Sequence, residues 1–108
     1  MTMENTSLTL KSKREGEALT VSLAGRLDTI TAPDAERRLR EEIEGVKDLT
    51  LDLSGLEYIS SAGLRVLLAL QKIMNRQGKM QLTGVNDTVM EILDLTGFSG
   101  ILTIVYNS

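Results

Sequence analysis

The fold is decided by residues 49–65, which have the sequence LTLDLSGLEYISSAGLR. Its first six residues alternate leucine with a polar residue, the pattern of a β-strand that has one buried and one exposed face. Apolar residues then recur at helical spacing over 62–77. The sequence therefore predicts a strand at 49–54, a loop at 54–61 and a helix, and the loop brings two adjacent serines to the helix start.

Alternating apolar and polar residues also occur at 8–11, 19–24 and 80–83, and each of these segments is predicted to be a strand. The first two are separated by a short polar turn that contains Gly16, which predicts a β-hairpin. A last strand is predicted at 101–105. The chain therefore opens with a hairpin and continues as alternating strands and helices.

Two further helices are predicted from their end signals. The first begins at about Ala32, and Gly45 ends it. The other is short and follows a cap at 86–88, where Glu91 is placed to form a capping box with Thr88.

The polar face of the strands decides between α/β architectures. Parallel strands that are covered by helices on both faces are almost continuously apolar, whereas these strands carry Thr, Ser, Gln, Lys and Asp at alternate positions. We therefore predict an α/β fold in which a single mixed sheet carries its helices mainly on one face. With 108 residues, the chain is predicted to form one domain over 1–108.

The composition excludes several classes of chemistry. The chain has no Cys and no His, so disulfides, thiolate zinc sites and Ser-His-Asp triads are ruled out. Neither glycine-rich nucleotide-binding motif occurs, and no pair of carboxylates has the spacing of metal ligands. We therefore expect a protein that is not an enzyme and that needs no cofactor or metal.

Charge and hydropathy predict where the chain acts. A formal charge of −3 with a pI near 4.9 argues against nucleic-acid binding. The first seven residues lack the basic and apolar regions of a secretory signal. The longest apolar run, at 66–70, is far short of the roughly 20 residues that span a bilayer. No membrane insertion is expected, and a cytoplasmic location is the default expectation.

Ser60 and Ser61 are the candidate regulatory residues. The unpaired N–H groups and positive dipole of a helix N-terminus favour an anion, so a serine there is a suitable acceptor for a phosphoryl group. The simpler interpretation is that one of the two serines is an N-cap, and the two roles are compatible. Gly63, which has no side chain, would let a partner backbone or a phosphate approach closely.

A second candidate lies in the segment 25–29. Ligand sites in α/β sheets gather beyond the carboxyl ends of parallel strands. If the strands that precede the two segments are parallel, Asp28 would lie near Ser60 and Ser61. Otherwise Asp28 is a solvated turn residue.

Three segments, in this order and spacing, resemble the STAS domain, and more narrowly the bacterial anti-sigma factor antagonists. They are GRLDTITAP at 25–33, DLSGLEYISSAGL at 52–64 and DLTGF at 94–98. The resemblance extends from about Leu8 to Val105. It implies a mixed sheet with helices mainly on one side, as the alternating strands predict independently.

The resemblance also implies a partner switch. In this family the unphosphorylated antagonist binds an anti-sigma factor, which is a serine kinase of the histidine-kinase-like ATPase type, and so releases a sigma factor. Phosphorylation of one serine ends the binding, and a PP2C-type phosphatase restores it. Aligned on the Gly-Leu pair, the acceptor is Ser61, with Ser60 as the alternative. The predicted partner-binding residues are Arg26, Asp28, Thr29, Ser60, Ser61, Gly63 and Leu64.

A different function is compatible with the same resemblance. Some stand-alone STAS domains are non-switching subunits of lipid-transport ABC complexes or scaffolds in signalling assemblies. In such a protein the serine would only cap the helix.

Overall fold

The strands pair into one five-stranded sheet in which the spatial order follows the chain order. A computed structural model describes residues 2–4 and 7–106 of the protein. The predicted domain 1–108 includes residues 1, 5, 6, 107 and 108, which lie outside the described residues. The elements are β1 (Thr2–Glu4), β2 (Leu8–Glu15), β3 (Ala18–Leu27), α1 (Ala32–Glu42), β4 (Asp48–Ile59), α2 (Ser61–Gln77), β5 (Lys79–Thr83), α3 (Asp87–Thr96) and a short 3₁₀ helix (Phe98–Gly100).

The sheet is mixed, as the sequence predicts. Strand β2 is antiparallel to β1 and to β3, and Gly16 turns the β2–β3 hairpin with a positive φ of 62°. Strands β3, β4 and β5 are parallel to one another, and α1 and α2 make the crossovers. β4 is therefore the central strand of the parallel part and carries the decisive leucine pattern.

One face of the sheet is apolar and the other is polar. Leu49, Leu51 and Leu53 are fully buried, whereas the residues between and after them, Thr50, Asp52 and Ser54, are half-buried or exposed. The buried leucines share one core with apolar side chains of all three α-helices. This confirms the predicted α/β fold with helices mainly on one face.

Strand β4 is longer than predicted. It continues through the predicted loop as far as Ile59, and β3 continues to Leu27. The two strands stay paired because irregularities between Ser22 and Ala24 and after Gly25 absorb the change of register. The paired strands, rather than a loop, thus carry the chain to the start of α2.

Helix α3 is capped differently from the prediction. Asn86 is the N-cap, and its side-chain oxygen accepts the N–H of Val89 at 2.9 Å, while its amide nitrogen donates to the carbonyl of Leu56. The predicted capping box of Thr88 with Glu91 is therefore wrong, since Thr88 already lies inside the helix. The second hydrogen bond, to Leu56 of β4, favours Asn86 over Thr88 as the N-cap.

The predicted strand at 101–105 is also wrong. After the 3₁₀ helix the chain makes a turn, and only Ile104 forms an isolated parallel bridge, with Leu82 of β5. Two backbone hydrogen bonds join the segment to Leu82, at 2.9 and 2.8 Å. The contact is limited to one bridge, and Ile101 and Val105 are 54% and 41% exposed, so the apolar run does not become a buried strand.

Candidate functional site

The two predicted site segments meet at one end of the sheet. Strands β3 and β4 are parallel, and their last pairs are Arg26 with Tyr58 and Leu27 with Ile59. The backbone N–H of Ser60 donates to the carbonyl of Leu27 at 2.9 Å. The condition that places Asp28 near the serines is therefore met.

Ser60 is the N-cap of α2. Its backbone is extended, its side-chain oxygen accepts the N–H of Gly63 at 3.5 Å, and its carbonyl accepts the N–H of Leu64 at 2.9 Å. The residue is half-buried. Ser60 is thus the N-cap, a role that the sequence alone could not assign to one of the two serines.

Ser61 occupies the first position of α2 and is exposed. Within residues 2–4 and 7–106, no hydrogen bond of its hydroxyl group is found. The first turn of the helix contains no acidic residue, unlike the first turns of α1 and α3. An anion on Ser61 would therefore meet the positive end of the helix dipole without a competing carboxylate in that turn.

Gly63 and Leu64 lie on the inner side of the helix. A Cβ atom at Gly63 would lie 2.7 Å from Ile59 Cγ1 and 2.7 Å from the Leu27 carbonyl oxygen. Leu64 is only 4% exposed and belongs to the core. Both residues therefore help to pack α2 on the sheet, and their predicted part in partner binding stays a prediction.

Asp28 organises the turn that precedes α1. Its Oδ1 accepts the N–H groups of Ile30 at 3.0 Å and Thr31 at 3.1 Å. The Thr31 hydroxyl accepts the N–H of Asp28 at 2.9 Å and donates to the carbonyl of Arg26, also at 2.9 Å. The hydrogen bond from the Thr31 backbone is the main reason that the pKa of Asp28 lies below its ordinary value, although partial burial opposes the shift.

Arg26 links the turn to the neighbouring strand. Its guanidinium lies 4.5 Å from the centre of the Tyr58 ring, and its Nε is 3.6 Å from Oδ2 of Asp28. An arginine over an aromatic ring is held by the negative face of the ring. Arg26, Asp28 and Tyr58 therefore form a connected polar patch beside the start of α2.

Two surface residues near this end were missed from the sequence. Ile30 is 78% exposed, although large apolar side chains are usually covered, and it directly precedes the buried Thr31. Tyr58 is 37% exposed and carries the arginine contact. The sequence shows Tyr58 only as the residue between Glu57 and Ile59. The pairing of β3 with β4 is needed to show that Arg26 is its neighbour.

The part of the chain that the structure describes contains no group of three or more acidic residues that could hold a metal ion. Over the same residues, we find no helix with the length and hydropathy of a membrane span.

Comparisons with known proteins agree on one family. The sequence profile of the STAS domain matches residues 9–108. An anti-sigma-B factor antagonist of Listeria monocytogenes is 32% identical over 104 residues, which cover 93% of this chain and 89% of that protein. The structure superposes on an anti-sigma factor antagonist from Mycobacterium paratuberculosis with a TM-score of 0.84, at 22% identity and over 94% and 87% of the two chains. The phosphorylated form of the Bacillus cell fate determinant SpoIIAA gives a TM-score of 0.69, at 15% identity and over 91% and 92%.

Proposed function

This chain belongs to the STAS domain family, and on that premise we propose that it is an anti-sigma factor antagonist whose binding is switched off by phosphorylation of Ser61. The role is supported by curated relatives with this name, which match almost the whole chain. The observation that carries the choice of residue is the exposed position of Ser61 at the start of α2. The protein acts by binding, and its partner is an anti-sigma factor.

The two serines differ in their suitability as acceptors. Ser60 is half-buried, and its side chain caps the helix, so its modification would remove a structural hydrogen bond. Ser61 is exposed and would place its phosphate at the helix N-terminus, where an anion is stabilised. Phosphorylation of Ser61 is thus compatible with the fold of the free protein.

The effect of the phosphate would be felt in the complex. A phosphoserine carries roughly −1.5 to −2 charges at pH 7 and is costly to desolvate in a protein interface. A loss of about 3–4 kcal/mol of binding free energy corresponds to a hundred- to a thousandfold weaker affinity. That loss is large enough to reverse the choice of partner.

The remaining parts of the switch follow from the same role. We infer that the anti-sigma factor is itself the kinase, of the histidine-kinase-like ATPase type, and that a PP2C-type phosphatase removes the phosphate. A regulator of sigma factors acts in the compartment of transcription, so the proposed location is the cytoplasm. The structural resemblance to a protein solved in its phosphorylated form supports the proposal at the level of the fold.

The proposal is tested by affinity capture from the native organism with three baits. Ser61→Ala keeps the site uncharged, and Ser61→Asp adds a charge at the start of α2. Thr88→Asp is the matched control, because it adds the same charge in the exposed first turn of α3. Ser61→Ala and Thr88→Asp should both retain an anti-sigma factor that Ser61→Asp loses, identified by mass spectrometry and confirmed by calorimetric titration.

Two other results would contradict the proposal. Equal calorimetric affinities of Ser61→Ala and Ser61→Asp for the anti-sigma factor would show that a charge at Ser61 does not switch binding off. If both baits retained the same ABC ATPase or signalling scaffold, Ser61 would only begin a helix, and the chain would be a non-switching subunit.

A further inference from the structure

All the charged side chains of α2 are basic. The helix contains three of the chain's 12 Lys and Arg residues and none of its 15 Asp and Glu residues. The three basic residues, Arg65, Lys72 and Arg76, follow one another at intervals of seven and four, so they form a stripe along one side of the helix. A chain of net charge −3 therefore has a concentrated basic surface on a single helix.

This stripe borders a groove between α1 and α2. The groove has two adjoining parts, of about 650 and 340 Å³, which share Arg40 of α1 and Arg65 of α2. Ala32, Pro33, Ala62 and Val66 line the first part, and Leu68, Ala69 and Ile73 line the second. The groove thus combines an apolar lining with a mainly basic rim, in which Glu36 of α1 is the one acidic residue among the described residues that line it.

The basic residues on the two sides of the groove differ in their ion pairs. On α1, Arg40 pairs with Glu36 at 2.9 Å and Arg37 pairs with Asp34 at 3.5 Å. On α2, Arg65, Lys72 and Arg76 form no salt bridge with any residue in 2–4 or 7–106, and all three are exposed. The α2 side of the groove therefore has positive charge available for a ligand.

We propose that the groove between α1 and α2 is the docking surface for an acidic, amphipathic segment of a protein partner. Carboxylates of such a segment pair with the α2 stripe, and its apolar side chains contact the accessible Pro33, Leu68 and Ile73 on the lining. An amphipathic helix laid in a groove between two helices is a common mode of peptide recognition. A nucleic-acid backbone has no apolar side chains to occupy the lining, so it does not match the groove as an amphipathic segment does.

The groove is also adjacent to the proposed switch. Thr29, from the turn before α1, and Ala62, next to Ser61, line its first part. Ser61 and Arg65 are four residues apart on the helix and both are exposed, so a phosphate on Ser61 can pair with the Arg65 guanidinium. Phosphorylation then both adds negative charge at the end of the groove and withdraws one of its three available cations. This regulatory step rests on the proposed function, whereas the docking surface itself does not.

The docking surface is tested by fluorescence anisotropy with a labelled amphipathic peptide of about 18 residues, long enough for several helical turns, that carries Leu and Glu at helical spacing. The comparison peptide has Gln in place of each Glu. An exposed ion pair changes affinity by a factor of about 1.4–5, so we expect the acidic peptide to bind about tenfold more tightly than the Gln peptide.

The matched variants have equal net charge. In the first, Arg65, Lys72 and Arg76 are replaced by Gln. In the control, the exposed Lys11, Lys13 and Lys47 are replaced by Gln. The first variant should lose the tenfold preference, whereas the control should keep most of it. Circular dichroism melts confirm that both variants are folded.

The regulatory step has its own measurement. Ser61→Glu should weaken acidic-peptide binding about threefold or more in the wild-type background and less in an Arg65→Gln background, because the arginine that it withdraws is already absent. Equal losses in both backgrounds would overturn the role of Arg65.

Three results would overturn the docking surface. The acidic and Gln peptides could bind equally, or both triple variants could lose affinity equally. Groove-dependent binding that is tighter to duplex DNA or to phosphatidylglycerol vesicles than to the acidic peptide would assign the surface to another class of ligand. Because the peptide is independent of any anti-sigma factor, these results are distinct from failure of the capture experiment.

Discussion

The N–H group of Ser60 donates to the carbonyl of Leu27 at 2.9 Å, so α2 begins directly against the end of the neighbouring strand. The hydrogen bond continues the β3–β4 pairing by one residue beyond Ile59. It fixes the direction in which the helix leaves the sheet and keeps the following residue, Ser61, at the surface. The proposed switch residue is therefore presented by the sheet rather than by a free loop.

Gly63→Ala should destabilise the protein. A helix interior normally gains stability from this change, but here the added methyl group would lie 2.7 Å from Ile59 Cγ1 and from the Leu27 carbonyl oxygen. Overpacking of this kind costs about 1–3 kcal/mol of unfolding free energy, which urea denaturation measures. Gly100→Ala is the control, since nothing lies within 4 Å of its added atom, and an equal loss in both variants would contradict the packing role.

Removing the two side-chain caps should have unequal effects. Asn86→Ala loses a 2.9 Å cap to Val89 and leaves the Leu56 carbonyl without its side-chain donor, so we expect a loss of about 2 kcal/mol. Ser60→Ala loses only a long 3.5 Å hydrogen bond, and a loss of about 0.5 kcal/mol is expected. Thermal unfolding of both variants checks the order, and a larger loss at Ser60 would show that its cap is stronger than its length indicates.

The contribution of Asp28 to stability should depend on pH. Hydrogen bonds to the ionised carboxylate, first of all from the Thr31 backbone, lower its pKa in the folded protein. A group with a lowered folded pKa stabilises the fold fully above its ordinary pKa of about 3.9, and the benefit is lost as the pH falls through the folded value. The difference in unfolding free energy between wild type and Asp28→Asn should therefore be constant from about pH 7 to 5 and shrink below about pH 4. A difference that stays constant down to about pH 3 would contradict the assignment.

Arg26 and Tyr58 should be energetically coupled. Their contact at 4.5 Å is exposed, so a double-mutant cycle with Arg26→Ala and Tyr58→Ala should give a coupling of about 0.5–1 kcal/mol. Urea unfolding of the two single variants and the double variant measures it. The pair Lys13 and Glu15 is a comparison, because both side chains are largely exposed and the expected coupling is smaller. Additive losses at Arg26 and Tyr58 would mean that the stacking adds nothing to stability.

Strand alternation was sufficient to predict the architecture, because it depends on the physics of a half-buried sheet. Leu49, Leu51 and Leu53 face the core, and the polar residues between them leave the other face uncovered. The same rule failed at 101–105, where every candidate strand residue except Thr103 is apolar and alternation gives no information. There, only the available edge of β5 decides how much of the segment pairs.

The site was predictable as two segments but not as one surface. The resemblance selected Ser61, yet sequence could not divide the roles of the two serines, because a cap is defined by backbone geometry. The sequence also could not show that the helix turns Gly63 and Leu64 toward the sheet. The sequence shows that residues 61–77 include no acidic residue. It does not show that the basic stripe borders a groove.

The sequence by itself determined the kind of sheet, the helix positions and the family, because these depend on local periodicity and on residues close together in the chain. The tertiary structure decided which residues are neighbours across the chain: Ser60 with Leu27, Arg26 with Tyr58, and Arg65 with α1. Those contacts depend on strand register and on the packing of α2 against α1. They are set when the core of the whole domain closes, so no single segment of the sequence contains them.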